Sequence, residues 1–226
     1  MTASHSLIPQ SLNPSFELIA DGLGRRFGRH WVFQELSFAF RSGEPTAILG
    51  PNGAGKSTLL SVLAGWTSAT AGSLCYSIDG QILAAENLYR YTSLAAPYLD
   101  LPDELTVAEA AAFQARLKPW RAGVTGAAEV VAQARLDGAL SHRRVRDLSS
   151  GLRQRLRLAL ALLSGARLVL LDEPTANLDR AGINWYQDLI AQTCTPERLV
   201  LVASNVAEEY AFCTRSLNLP DFAFRR

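Results

Sequence analysis

Residues 50–58 read GPNGAGKST, and this stretch decides the fold. It follows a short apolar run, PTAILG, and leads into STLLSVLAGW, whose apolar residues recur with helical spacing. Strand, glycine-rich loop and helix is the context in which the pattern GxxxxGK[ST] forms a phosphate site. Successive backbone N–H groups and the helix N-terminus surround the anion, and glycine lets the backbone approach it closely. Gly50, Pro51, Asn52, Gly53, Ala54 and Gly55 are the expected cradle, continued by Thr58 on the helix. Lys56 is expected to reach the β- and γ-phosphates and the Ser57 hydroxyl to ligate Mg²⁺. Lysine occurs only at positions 56 and 118 among 22 basic residues. An otherwise arginine-using chain thus keeps at position 56 the compact ammonium that fits between phosphates as a point charge.

Outward from this stretch, 226 residues suffice for one sizeable core, and 48% apolar with 19% charged composition is that of a globular chain. A net charge of +1 gives no basic footprint for nucleic acid, so none is expected as a partner. The arginine clusters at 143, 144 and 146 and at 153, 155 and 157 read as solvated helix faces. Three cysteines, Cys75, Cys194 and Cys213, show no metal spacing and suggest a reducing compartment. Residues 1–15, rich in Ser, Pro and Asn, lack the pattern of a secretory signal and are expected to be a flexible tail. No predominantly apolar stretch of about 20 residues marks a membrane span.

Residues 16–40 alternate apolar runs (FELIADGL, GRRFGRHWVF, ELSFAFRSGE) with glycine-containing turns, a pattern of antiparallel strands. GSLCYSIDGQIL, residues 72–83, reads as a hairpin turning at Asp79-Gly80. VAEAAAFQARLKPW and AAEVVAQARLDGAL read as helices, broken between Pro119 and Gly126. A further helix is expected over 148–163, and another with Ile183, Tyr186, Leu189 and Ile190 on one face. RLVLLD (167–172) and RLVLVAS (198–204) are continuous apolar runs of the kind found in parallel strands covered on both sides.

The first of these strands ends in Asp172-Glu173. Ligands of open α/β sheets bind at the C-terminal ends of strands, so the pair is placed to act on the same phosphates. Asp172 would hold Mg²⁺ and Glu173 would orient or polarise an attacking water. Taken alone, two carboxylates after a buried strand are equally an ordinary exposed helix start.

LVLLDEPTANLD (168–179) resembles the Walker B motif and D-loop of ABC-type ATPases, and LSSGLRQ (148–154) resembles their signature sequence. The match spans residues 16–218, with the motifs in the family's order. The resemblance implies an α/β P-loop NTPase of ABC type: a mostly parallel RecA-like sheet, an N-terminal antiparallel β-subdomain, and a helical subdomain inserted at about 95–150. Residues 16–226 would be this single domain. It implies binding and hydrolysis of ATP with Mg²⁺, and dimerisation with a second ATPase subunit, as a homodimer or pseudo-dimer. Ser149, Ser150 and Gly151 would close over the partner's ATP, with Asp179 in the D-loop. Phe27 stands where the family stacks an aromatic ring on adenine, although a core or turn phenylalanine fits as well. The spare form, with SGLRQRLRLALALL, looks like exporter ATPases of the cytochrome c maturation haem-export type. The resemblance then implies a separate integral-membrane permease and a peripheral position on the cytoplasmic face of the inner membrane. The apolar set Pro97, Tyr98, Leu99 and Leu101 would dock that permease or pack within the helical subdomain. The alternatives are a non-transport ABC ATPase acting in assembly or on nucleic-acid complexes, and a slow-hydrolysing regulatory subunit. Ribosome-acting relatives carry two cassettes and DNA-acting ones carry coiled coils or zinc modules.

Three departures qualify the match. The signature has Ser150 for a glycine and Leu152 for a glutamine. The family's switch histidine is Asn205, which can donate a hydrogen bond but cannot titrate. No glutamine occurs between Gln81 and Gln114, where the family carries one, and Ser93 is a candidate replacement. The expectation is an active ATPase with atypical hydrolysis.

Overall fold

The computed structural model describes residues 15–223. The tail expected at 1–15 therefore lies outside the described residues, except for Ser15, whose N–H donates to the Asp79 carboxylate at 2.7 Å. The described residues open on two long strands, β1 (Phe16–Phe27) and β2 (His30–Arg41). The sequence suggested three runs here. Instead, Gly22 with its positive φ of 57° and register shifts on both sides of Leu23 are absorbed as bulges within β1. β3 (Thr46–Leu49) then enters the phosphate loop and α1 (Lys56–Leu63) leaves it. β4 (Ala71–Ile78) and β5 (Gln81–Leu83) form the hairpin read at Asp79-Gly80 and complete a four-stranded antiparallel sheet, ordered β2-β1-β4-β5.

The remaining strands build a five-stranded sheet, β6-β7-β8-β3-β9, in which every pairing is parallel. Its members are β6 (Thr92–Ala95), β7 (Leu168–Asp172), β8 (Leu199–Ala203) and β9 (Arg215–Asn218), together with β3. The helices α2 (Val107–Leu117) and α3 (Ala127–Gln133) lie between β6 and the signature helix α4 (Ser150–Leu162). The helix α5 (Arg180–Thr193) connects β7 to β8, and α6 (Ala207–Tyr210) connects β8 to β9. The second helical run stops early because Arg135 turns left-handed at φ 58°, after which residues 138–142 form a 3₁₀ turn.

Alternation along β7 explains the layers. Leu168 and Leu170 join a core shared by β1, β2 and α1, whereas Val169 and Leu171 face a second core made by α2 to α5. A strand buried on both faces has to be apolar at every position, which is why LVLL reads as an unbroken run. On α5 the buried face is Trp185, Tyr186, Leu189 and Ile190, with Ile183 only half-buried. Among the described residues, no helix is long and apolar enough to cross a membrane.

Candidate nucleotide site

The C-terminal ends of β3 and β7 bring the two principal motifs together. A cavity of about 420 Å³ is lined by Asn52, Gly53, Gly55, Lys56, Ser57 and Thr58 on one side and by Glu173 on the other. Gly55 has φ 96°, and a Cβ there would lie 2.1 Å from Val32 Cγ1, so only glycine lets the loop pass beneath the β1–β2 hairpin. Pro51 and Ala54 turn instead toward an adjoining hollow that Pro220 also lines, and a Cβ on Gly50 would meet Pro220 Cδ at 3.0 Å and Ala54 Cβ at 3.1 Å. Lys56 is 5% exposed, and its Nζ donates to Gly50 O at 2.7 Å and Pro51 O at 3.2 Å. The ammonium is thus held in the loop by weak carbonyl acceptors, which a phosphate oxygen can replace with a charge-assisted bond.

Asp172 is 2% exposed and its Oδ2 has no hydrogen-bond partner. Burial raises its pKa above the ordinary carboxylate value, and the neighbouring Glu173 charge adds to this. The hydroxyls of Ser57 and Tyr98, and the Lys56 charge, work the other way. A buried carboxylate oxygen without a donor, beside a hydroxyl at the helix start, is a donor set for a hard cation that takes oxygen ligands. Glu173 follows directly at φ 43°, a left-handed conformation that costs a non-glycine residue energy. Its N–H donates to Ala203 O at 2.9 Å, which fixes this turn to β8.

Phe27 is exposed at the end of β1, on the rim of the cavity, with the Arg25 guanidinium 4.4 Å from its ring centroid. A core phenylalanine is therefore excluded. Asn205 reaches the phosphate loop by a different route, its Nδ2 donating to Asn52 Oδ1 at 3.2 Å.

Ser149, Ser150 and Gly151 do not join this cavity within one chain. With Asn177 and Asp179 they line a separate hollow of about 340 Å³. Ser149 caps α4 by accepting from Leu152 N at 3.3 Å, and Asp179 caps α5 by accepting from Gly182 N at 2.7 Å. A Cβ on Gly151 would approach Asn177 O to 2.8 Å, so glycine brings the signature and the D-loop into contact.

Two expectations are corrected. Ser93 lies within β6, opposite Val169, and is buried, so it is not a loop residue facing the phosphates. Arg157 is no solvated surface charge: it is 8% exposed and donates to Leu99 O at 2.6 Å. The apolar set after β6 divides, with Leu101 packed against the helical core and Tyr98 exposed. Sequence reading missed His30 and Val32, which line the cavity from the tip of the hairpin, where only the strand register places them. It also missed Glu209, a buried carboxylate that accepts from the Thr175 N–H at 2.8 Å and anchors the segment after Glu173.

Comparison with known proteins agrees with this arrangement. Residues 33–176 match the family model described as ABC transporter. The chain is 32% identical over 193 residues to the cytochrome c biogenesis ATP-binding export protein CcmA of Mesorhizobium japonicum, covering 84% of this chain and 92% of that protein. It is 38% identical over 163 residues to the sulfate/thiosulfate import ATP-binding protein CysA of Ralstonia nicotianae, covering 69% of this chain but only 43% of that protein. A solved putative ABC transporter ATP-binding protein from Pyrococcus furiosus superposes with a TM-score of 0.76 at 20% identity, over 92% of this chain and all of that one. With the phosphate loop, the acidic strand end and the signature in one fold, the chain belongs to the ABC transporter family, as one of its ATPase subunits.

Proposed function

We propose that this chain binds ATP with Mg²⁺ in the cavity between the phosphate loop and Glu173 and hydrolyses it to drive an export-type transporter. The observation that carries the reading is the buried, unpartnered Asp172 oxygen at the same sheet edge as Lys56, Ser57 and Glu173. Bound there, Mg²⁺ would neutralise charge developing on the phosphates, held by Ser57 and Asp172. Lys56 binds the β- and γ-phosphates, and Phe27 supplies a ring face at the cavity rim for adenine. Glu173 orients a water and takes its proton as the water oxygen bonds to the γ-phosphorus. The bond from that phosphorus to the β–γ bridging oxygen breaks, and ADP leaves with the electron pair. Asn205 stands ready to donate to the γ-phosphate once it releases Asn52.

Two such subunits, either identical or paired with a related chain, face each other. Ser149, Ser150 and Gly151 of each then cover the ATP held by the other, and Asp179 lies at the contact. The separate hollow in front of α4 supports this reading, because its helix N-terminus has no phosphate of its own chain to face. The likeness to a cytochrome c biogenesis export protein supports export and a membrane-spanning partner on a separate chain, with this subunit on the cytoplasmic face of the inner membrane.

Glu173→Gln tests the catalytic reading. Turnover falls by about a hundredfold or more while ATP binding persists and an ATP-bound dimer accumulates on size exclusion. Unchanged turnover would remove Glu173 from the mechanism. Affinity capture from solubilised membranes should recover a multi-span protein; recovery of ribosomes or DNA-repair factors would overturn the transport reading.

A further inference from the structure

The turn that carries Glu173 is held from three directions. The Glu173 N–H donates at 2.9 Å to the carbonyl of Ala203, the last residue of β8. Two residues further on, Thr175 donates its N–H at 2.8 Å, and also its hydroxyl, to Glu209 Oε1 on α6. Between these two ties, Pro174 O accepts from Gln154 Nε2 of α4 at 2.9 Å. Glu209 is itself anchored. It is 2% exposed, and its carbonyl accepts at 2.8 Å from the hydroxyl of Tyr186, a fully buried residue of α5.

A carboxyl group is an expensive acceptor to bury here. Both Thr175 donors converge on Oε1, and Oε2 is buried with no hydrogen-bond partner, an arrangement that lowers stability. What it secures is a turn that would not hold itself. Glu173 has φ 43°, and a non-glycine residue persists in that conformation only where its surroundings over-determine it. Glu209 does not line the nucleotide cavity, so its effect on the site has to pass through Thr175.

We propose that Glu209 is a positioning residue for Glu173: through Thr175 it keeps the turn in its left-handed conformation and so aims the Glu173 carboxylate at the attacking water. The inference rests on the reading of Glu173 as the group that orients that water. A misplacement on the order of 1 Å in such a group costs up to about a hundredfold in rate, whereas nucleotide binding by the phosphate loop is made elsewhere. Loss of Glu209 should therefore divide turnover from affinity.

The test uses the full chain with ATP and Mg²⁺. Glu209→Met keeps the length of the side chain and removes the acceptor, and a denaturant titration gives the folded fraction to which rates are referred. Its kcat should fall about 10–100-fold while KM and the calorimetric affinity for ATP stay within about twofold of wild type. The ATP-bound dimer should accumulate on size exclusion, as in Glu173→Gln. Glu209→Gln, which retains Oε1 for both Thr175 donors, should keep most of the turnover. Should Glu209→Met fail to fold, Thr175→Val removes only the hydroxyl tie and should lower kcat about fivefold, with Thr175→Ser restoring it. In a Glu173→Gln background, Glu209→Met should lower the residual rate no further. Wild-type kcat in Glu209→Met or in Thr175→Val overturns the positioning role, as does an equal loss in Glu209→Gln or an additive loss in the Glu173→Gln background. Glu173→Gln alone separates the two levels. Unchanged turnover there defeats the reading of Glu173 itself, whereas loss there with wild-type turnover in Glu209→Met defeats only this inference.

Discussion

The two edges of the parallel sheet treat buried charge in opposite ways. At the N-terminal edge, Arg198 precedes β8 and donates to four carbonyls: Ala166 O at 3.0 Å, Leu162 O at 2.7 Å, Thr193 O at 3.2 Å and Ser164 O at 3.0 Å. Even so, burial lowers its pKa to about 10. At the C-terminal edge, Asp172 is as deeply buried but keeps an oxygen without a donor, and Glu173 beside it sits in a left-handed conformation. The first charge is closed within the protein and holds loops together. The second is left open and strained, which is what a site awaiting a charged ligand requires.

Substitutions at the two edges should therefore fail differently. The largest effect is expected from Arg198→Met, which strips donors from four buried carbonyls. It should cost about 3–5 kcal/mol of stability in chemical denaturation, with ATP turnover per folded molecule unchanged. Lys56→Ala inverts the pattern: ATP affinity falls about 10–100-fold by calorimetry, with the melting temperature of the nucleotide-free protein nearly constant. Equal thermal losses in both variants would erase the contrast.

Smaller effects sharpen it. Gly151→Ala forces a Cβ toward Asn177 O and should cost about 1–3 kcal/mol in a denaturant titration while slowing ATP hydrolysis, because the signature and D-loop must separate. Asn205→His should raise kcat by up to about tenfold, or ~1.4 kcal/mol, by bringing a longer donor to the γ-phosphate. No gain would show that Asn205 already suffices.

The smallest effect concerns the two helices between β6 and α4. Glu109 and Glu129 have pKa values below the ordinary 4.5, because backbone and hydroxyl donors of Thr106 and Thr125 favour their charged forms. A depressed folded value means that their contribution is present above pH 4.5 and is lost as the pH falls through that lower value. A hydrogen-exchange profile should show α2 and α3 losing protection on acidification through this window before the rest of the chain.

How much of this was legible in the sequence follows from contiguity. GPNGAGKST, LVLLDE and LSSG each carry their chemistry within a few residues, and the parallel sheet is visible in the unbroken apolar runs of β7 and β8. β6 escaped because TSLA is short and half polar, its Thr92 and Ser93 being buried by neighbours rather than by their own character. β9 escaped for a similar reason, since Leu217 alone among its four residues is buried. Arg157 has the sequence context of a surface arginine, and only the return of the chain after β6 gives it Leu99 O as a partner. Glu209 likewise acquires its role from Thr175, 34 residues earlier, which no local pattern records.

The central claim is that each phosphate loop is completed by another subunit's signature. Lys56→Ala disables the loop, and Ser150→Glu places a negative charge at an exposed helix start, where the helix tolerates it but an incoming phosphate does not. ATP hydrolysis should be measured for each variant alone and for an equimolar mixture. Both alone should be near background, and the mixture should regain activity, because mixed dimers contain one intact loop facing one intact signature. A mixture that stays at the level of the separate variants would contradict the composite site.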